Sequence, residues 1–460
     1  MIINFLGGAR TVTGSCFYIE CDGLNILIES GLYQGKGSDK INRSPFRFKP
    51  EKIHYIFITH AHLDHSGMLP KIVKEGFSGT IITTPATRDL LEVMLYDSAQ
   101  IQENDAAWDT KKALRAGKPP VFPLYTTEDV KKVLPLFDVK PYDKIFHLGN
   151  GIKYRFLDAG HILGSGSLEF SYQDSSTEKK IIFAGDIGKT NNPIVRDPVT
   201  PQKADFIVME STYGNRLHKN WEESIDELVN AIKTTFKKKG NVYIPSFAVG
   251  RTQDLLYILN NLVREGRLYK IDVYLDSPLA EEVTRVYLSH PECFDDEARA
   301  LFSTENIGDA IQLHFVQSVQ DSMALNRIKS GIVVIAGSGM CEGGRIRHHF
   351  KHNLWRRECS VIFVGFQGEG TLGRKIVNGA RTVKILGENV AVRASTYTIN
   401  GFSAHADQGE LIKWLSAFAN SPEIFIVHGE EDVALSFSEL VHEKFGFKTH
   451  VPRKGDVFKI

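Results

Sequence analysis

Three imidazoles and a carboxylate within six residues, His60-Ala61-His62-Leu63-Asp64-His65, make the segment of this chain best suited to chemistry. Neutral imidazole and carboxylate are ligands for Zn²⁺, with Mn²⁺ or Fe as alternatives, and no Cys-x-x-Cys pair competes for a metal. Any one of the 16 histidines, taken singly, is more often a surface or satisfied core residue than a ligand. Four ligand-type side chains crowded together are different, because like groups at such a spacing need a cation to be tolerated. The residues in front of them, Tyr55 to Thr59, read as a buried strand from their β-branched and aromatic run. His60 and His62 therefore leave a strand end two residues apart, and Leu69-Pro70 opens a helix-like run behind them.

Two ions about 3.5 to 4 Å apart need more ligands than this motif supplies. Candidates stand at other strand ends: Asp158-Ala159-Gly160-His161 after Tyr154 to Leu157, Asp186 after Ile181 to Phe183, and His428-Gly429-Glu430 after Ile424 to Val427. Each puts a ligand-type side chain just past an apolar strand, beside a small residue. One such residue is an ordinary strand-end loop position; the repeated placement makes them a set.

The elements that must position these groups change texture along the chain. At 460 residues the chain suits two domains, or one large domain with an insertion. It is strand-rich up to about Ala204. From Val242 to Phe247, through Ile271 to Leu275, Ile332 to Ala336 and Val361 to Gly365, strands alternate with helical patterns, which implies a parallel sheet covered by helices. After about Val383 the strand-rich texture returns, with Val390 to Ala394, Ile424 to Val427 and a helix from Gln408 to Ala417. Glycines in Ala336-Gly337-Ser338-Gly339 and Gly343-Gly344-Arg345 fall where a strand gives way to a helix. Backbone N–H groups there could receive a phosphate, with Arg345 or Arg374 adding charge-assisted contacts; a tight crossover without ligand explains the spacing equally well.

Composition is that of a globular protein, 42% hydrophobic and 24% charged, with 55 Lys plus Arg against 55 Asp plus Glu. No global field draws in a polyanion, so attraction for one must be local. Five scattered cysteines argue for a reducing compartment. Without a signal-peptide pattern at Met1 to Phe5 or an apolar run of membrane-spanning length, a cytoplasmic protein is expected.

His-x-His-x-Asp-His, with the later strand-end residues, resembles the metallo-β-lactamase superfamily. The chain is more specifically similar to its β-CASP branch of nucleic-acid-cleaving enzymes. That likeness is carried by Glu210-Ser211-Thr212-Tyr213, Gly401-Phe402-Ser403-Ala404-His405-Ala406-Asp407 and Val427-His428-Gly429-Glu430, and by Ile244-Pro245-Ser246-Phe247-Ala248-Val249-Gly250-Arg251, Ser338-Gly339-Met340 and Gly343-Gly344-Arg345. The resemblance implies an α/β fold, a metallo-β-lactamase αββα sandwich over 1–205 and 386–460, with an inserted parallel-sheet α/β (β-CASP) domain over 206–385. It implies two Zn²⁺ per chain: His60, His62 and His161 on one, Asp64, His65 and His428 on the other, and Asp186 bridging both with a hydroxide opposite. Asp64 would also take part in catalysis. His405 is the implied general acid and Glu210 its orienting partner. Ser338, Gly339, Arg345 and Arg374 are the candidate substrate contacts. Where the family usually has Asp, this chain has Glu29, which gives that residue a supporting role toward a metal-site group.

The implied reaction is hydrolysis of RNA, rather than DNA, by a two-metal hydroxide mechanism that leaves a 5′ phosphate and a 3′ hydroxyl. Endonuclease and 5′ exonuclease action both stay open, and a homodimer is compatible with the resemblance. Two rival readings are an ester or thioester hydrolase of the same superfamily and a non-catalytic RNA-binding scaffold. An insertion of about 180 residues argues against the first, since a small substrate needs no such cover, and the presence of every implied ligand argues against the second.

Overall fold

Residues 1–35, 37–174, 177–303 and 307–460 are described by the computed structural model. Two units divide them: Met1–Asn192, Arg196–Leu217 and His405–Ile460 make the first, Pro193–Val195 and His218–Ala404 the second.

Period-two alternation builds the first unit. Along Phe206–Glu210, Val208 points into the space between two sheets while Ile207 and Met209 face outward; along Glu423–Val427, Phe425 and Val427 point in and Ile424 and Ile426 out. The first sheet runs, in spatial order, Val457–Lys459, Ile2–Gly7, Cys16–Cys21, Leu24–Ile28, Tyr55–Phe57, Thr80–Thr83 and Phe137–Val139. The second runs Thr449–His450, Glu423–Val427, Phe206–Glu210, Thr177–Phe183, Gly166–Asp174, Ile152–Asp158 and Phe146–Gly149. Aromatic residues fill the interior between them, with Phe5 on Phe425 at 5.3 Å and Phe57 edge-on to Phe170 at 6.2 Å between ring centroids. The helices Gln408–Ser416 and Glu431–Phe445 bury Leu411, Leu415, Phe437 and Val441 against the outer face of the second sheet. A 31-residue helix, Pro85–Arg115, whose Thr84 accepts from the Thr87 N–H as a cap, packs beside the edge strand Phe137–Val139 of the first. The result is the expected αββα sandwich. The polar run 174–180 has the pattern of a hairpin tip; residues 175 and 176 lie outside the described residues, and Asp174 and Thr177 pair across it.

The second unit is built on a parallel sheet in the order Gln312–Phe315, Asp272–Asp276, Ile332–Ala336, Val242–Pro245, Ser360–Phe363 and Ser395–Thr398. Both faces are covered, which suits its continuous apolar strands such as Ile332–Ala336, buried at every residue. Two segments sit elsewhere than the sequence suggests. Phe206–Glu210, read as the opening of the insertion, is paired between Thr177–Phe183 and Glu423–Val427 in the first unit. Ser395–Thr398, read as part of the returning sandwich, pairs with Ser360–Phe363 in the second. Val390 belongs to the hairpin strand Glu388–Ala391, paired with Thr382–Ile385. Among the described residues no helix is long and apolar enough to cross a membrane.

Candidate metal centre

Four strands of the first unit, one in the first sheet and three in the second, end at candidate ligands. Tyr55–Phe57 leads to His60, His62, Asp64 and His65; Thr177–Phe183 leads to Asp186; Glu423–Val427 leads to His428; the antiparallel Ile152–Asp158 leads to His161. The loop that follows Tyr55–Phe57 is held by neighbouring backbone: the Ser15 N–H donates to Asp64 O at 2.9 Å, and Ser30 N–H to His65 O at 2.7 Å. Gly31 is required in that contact, because a Cβ there would lie 1.8 Å from Asp64 O.

Ring nitrogens and carboxylate oxygens converge in two neighbouring sets. His60 Nε2 lies 3.1 Å from His62 Nδ1, His161 Nε2 lies 3.3 Å from the same His62 atom, and Asp186 Oδ2 stands 3.4 Å from His60 Nε2 and 3.6 Å from His161 Nε2. In the second set His65 Nε2 is 3.2 Å and Asp64 Oδ2 3.4 Å from His428 Nε2, and Asp186 Oδ1 is 3.4 Å from His65 Nε2. Ligand atoms about 2.0 to 2.1 Å from one tetrahedral ion lie roughly 3.3 to 3.4 Å apart, so both sets fit a divalent cation. Burial, with the charge of neighbouring imidazoles, holds His60 and His161 well below the usual histidine range and His62 down at about 4, which keeps these rings in the neutral, ligating form. Asp186 Oδ1 is buried with no hydrogen-bond donor among the described residues, as a carboxylate facing a cation would be.

Around the ligands stand groups that fix their orientation. Thr59 Oγ1 is 3.0 Å from His60 Nδ1, so Nε2 is the free ligating atom. Thr212 Oγ1 reaches both His428 Nδ1 at 3.2 Å and His428 O at 3.0 Å, bracing a residue whose φ is 45°. Glu29 accepts from the Thr59 N–H at 3.0 Å through Oε1, and its Oε2 lies 3.7 Å from His65 Nδ1. The extra methylene therefore anchors the loop backbone and leaves the carboxylate long of a hydrogen bond to the imidazole. Thr59 and Thr212 are contributors to which the sequence alone assigns no role. A hydroxyl directly before His60 was a usable signal, whereas Thr212 meets His428 only through a fold contact 216 residues apart.

His405 comes from a different part of the chain, and its ring lies against that of His161, tilted by 47° with centroids 4.4 Å apart. Its Nδ1 is 3.0 Å from Glu210 Oε2, and Glu210 Oε1 accepts from the Ile187 N–H at 2.6 Å. The Ala406 N–H donates to Ile187 O at 2.7 Å, which pins the segment. Burial alone would lower the His405 pKa, but the Glu210 carboxylate beside it raises it to about 9. Two strand-end candidates stand apart from the cluster. Asp158 is tied to Arg196 at 2.9 Å and to the Gly160 N–H at 3.0 Å, shaping the turn that carries His161, and Glu430 is exposed at the start of a helix.

The four candidate substrate contacts belong to the second unit. Ser338 and Gly339 lie past the end of Ile332–Ala336, with Ser338 Oγ accepting from the Gly343 N–H at 3.1 Å and Gly339 O accepting from Gln367 Nε2 at 2.9 Å. Arg345 is engaged with Asp276 Oδ1 at 2.7 Å and with the carbonyls of Val316 and Gln317, so a phosphate would compete with a buried carboxylate for it. Arg374 pairs with Glu369 at 3.1 Å.

The metallo-β-lactamase superfamily model matches residues 9–233, a Beta-Casp domain model matches 252–376, and a model of the Zn-dependent metallo-hydrolase RNA specificity domain matches 389–452. A ribonuclease of Thermus thermophilus is 36% identical over 436 residues, 95% of this chain and 94% of its own length. Transcription termination factor FttA of Thermococcus kodakarensis is 32% identical over 478 residues, 100% of this chain and 71% of its own. A crystal structure of a protein of unknown function from Enterococcus faecalis shares the fold, with a TM-score of 0.58, 12% identity and 99% of both chains covered. With these matches, and with His60–His65, Asp186, His428 and the Glu210–His405 pair meeting where strands of both sheets end, the chain belongs to the β-CASP branch of the metallo-β-lactamase superfamily.

Proposed function

We propose that this protein is a metal-dependent ribonuclease that hydrolyses RNA phosphodiester bonds and leaves a 5′ phosphate and a 3′ hydroxyl. The observation that carries the reading is the pairing of two adjoining ligand sets with a separate imidazole–carboxylate dyad, His405–Glu210, at the same strand ends. The Thermus relative named a ribonuclease supports RNA as the substrate. His60, His62 and His161 would hold one divalent cation, and Asp64, His65 and His428 a second, with one oxygen of Asp186 toward each. Zinc suits this mixture of imidazole and carboxylate best. Bound there, such ions acidify a water and neutralise charge that develops on the non-bridging phosphate oxygens.

The chain's own residues do the rest. Glu210 accepts the Nδ1–H of His405 and fixes which nitrogen faces the substrate, so His405 Nε2 is left to give its proton to the departing 3′ oxygen. Glu210 stays in place because its other oxygen is held by the Ile187 N–H. Ser338, Gly339 and Arg374 are proposed as RNA contacts of the second unit, with Arg345 holding the Ser338 loop through Asp276.

Metal-loaded protein incubated with 5′-labelled linear RNA and with circular RNA tests the reading. Cutting of the circle marks an endonuclease, and shortening of the linear RNA alone from its 5′ end marks an exonuclease. Both RNAs left intact while a thioester is cleaved would replace the proposal with a small-molecule hydrolase.

A further inference from the structure

Residues 46–49, Phe-Arg-Phe-Lys, alternate aromatic and basic side chains in a segment outside helix and sheet. The two phenylalanines turn toward the protein: Phe46 stacks on Phe48 at 5.0 Å, Phe48 on Tyr18 at 6.1 Å, and Lys71 Nζ covers the Phe46 ring at 4.0 Å. This ladder anchors the segment by one side, and Arg47 and Lys49 are left exposed. Arg47 meets a second cation from the C-terminal end of the chain. Its guanidinium lies against Gly455, where a Cβ would come within 2.6 Å of Nη1, and the neighbouring Lys454 holds its Nζ 4.3 Å above the Tyr33 ring.

Among the described residues no acidic side chain is paired with either cation, Arg47 or Lys454; the nearby Asp456 accepts instead from the Arg453 backbone N–H at 2.8 Å. Burial pushes the Cys16 thiol up to about 12, so it supplies no anion, and burial together with the Arg47 charge holds the Lys454 ammonium below its ordinary value. Two cations brought together without a counter-ion mark a surface that gains from an anionic ligand. The patch is also tied to the metal centre within the same unit. Tyr33 follows Leu32, whose N–H donates to Leu63 O at 2.8 Å beside Asp64, and Tyr33 packs on Gly14 beside Ser15, whose N–H donates to Asp64 O.

We propose that Arg47 and Lys454, flanked by Lys49, bind backbone phosphates of single-stranded RNA next to the bond being cut, without reading base sequence. The proposal rests on the ribonuclease reading above and adds to it the path of the substrate over the first unit. RNA is favoured because exposed point and fork cations brought side by side from two segments, with Lys49 two residues from Arg47, match a repeating phosphate chain.

The test is fluorescence anisotropy of labelled polyuridine and polyadenine, titrated over a range of KCl with the metal-loaded protein and with its R47A/K454A variant. We expect the variant to bind both homopolymers about tenfold more weakly, with the log–log salt slope shallower by about 1.4, two phosphates at roughly 0.7 each. R47E, a single change at an exposed residue, should weaken binding in the same direction, and K153A, which removes a charge elsewhere on the first unit, should leave affinity as it was. Unchanged affinity and slope in R47A/K454A, while the wild type still binds and cleaves RNA, would overturn the proposal alone, as would a loss confined to one homopolymer. Failure of the wild type to cleave any RNA would overturn the ribonuclease reading instead.

Discussion

His405 and the cation ligands lie close together but should fail in different ways. Replacing His405 with Ala would remove the proposed proton donor and none of the proposed ligands, so we expect turnover of RNA to fall about 10² to 10⁴-fold, while metal content measured by inductively coupled plasma mass spectrometry stays at the wild-type value. Loss of metal in that variant would make His405 a ligand. Replacing Asp186 with Asn should do the opposite and lower metal content, since Asp186 offers one oxygen to each ligand set. These residues were legible in the sequence because every one stands just past an apolar strand or in a dense motif. Their grouping was not: His428 and His65 are 363 residues apart and follow strands of different sheets, and only the packing of the two sheets makes them neighbours. Glu29 shows the same limit, since the sequence gives its identity but not that Oε1 would take the Thr59 N–H. Arg345 shows it again, because its partner Asp276 is 69 residues away.

At the scale of elements, the loops that carry ligands depend on close backbone contacts that admit no side chain. Gly31→Ala would drive a methyl group into Asp64 O, and we expect a loss of at least about 2 kcal/mol of stability, read as a lower urea midpoint together with reduced metal affinity. In the second unit, the end of Asp272–Asp276 is held by a buried network: Asp276 accepts from His349 and Ser322 at 2.6 Å each and from Arg345 at 2.7 Å. Burial by itself would raise the Asp276 carboxyl, but those hydrogen bonds hold it below the usual carboxylate range. A depressed carboxylate contributes stability that is present above its unfolded pKa of about 3.9 and is lost as pH falls through the folded value. Asp276→Asn should therefore cost about 3 kcal/mol of stability at neutral pH as a broken buried pair, read as a lower urea midpoint, and flatten the midpoint's fall on acidification. Wild-type and variant curves that stay parallel below pH 4 would contradict this.

Element types were largely readable from periodicity, and their sheet membership was not. Phe206–Glu210 and Ser395–Thr398 are short apolar or mixed runs of the kind either sheet could accept, and the pairing that decides between them is with strands far along the chain. An alternating pattern states that a strand has a buried face without stating which partner buries it.

For the whole molecule, the candidate ligand sets join segments near residues 60, 161, 186 and 428, so cations held there would tie the N- and C-terminal parts of the first unit together. A ligand that binds only the folded state stabilises it by about 2.7 kcal/mol at a hundredfold excess over Kd. Removal of metal by chelation should accordingly lower the melting temperature measured by circular dichroism, and added Zn²⁺ should restore it. An identical melt with and without chelator would mean that the cluster holds no cation. The most direct test of the central claim is the product analysis of 5′-labelled single-stranded RNA after incubation with the metal-loaded protein, its chelated form and its Asp186→Asn variant. We expect fragments ending in a 3′ hydroxyl, with 5′ phosphate on the newly made partners, from the metal-loaded wild type alone; intact RNA in that sample, or equal cleavage in all three, would contradict it.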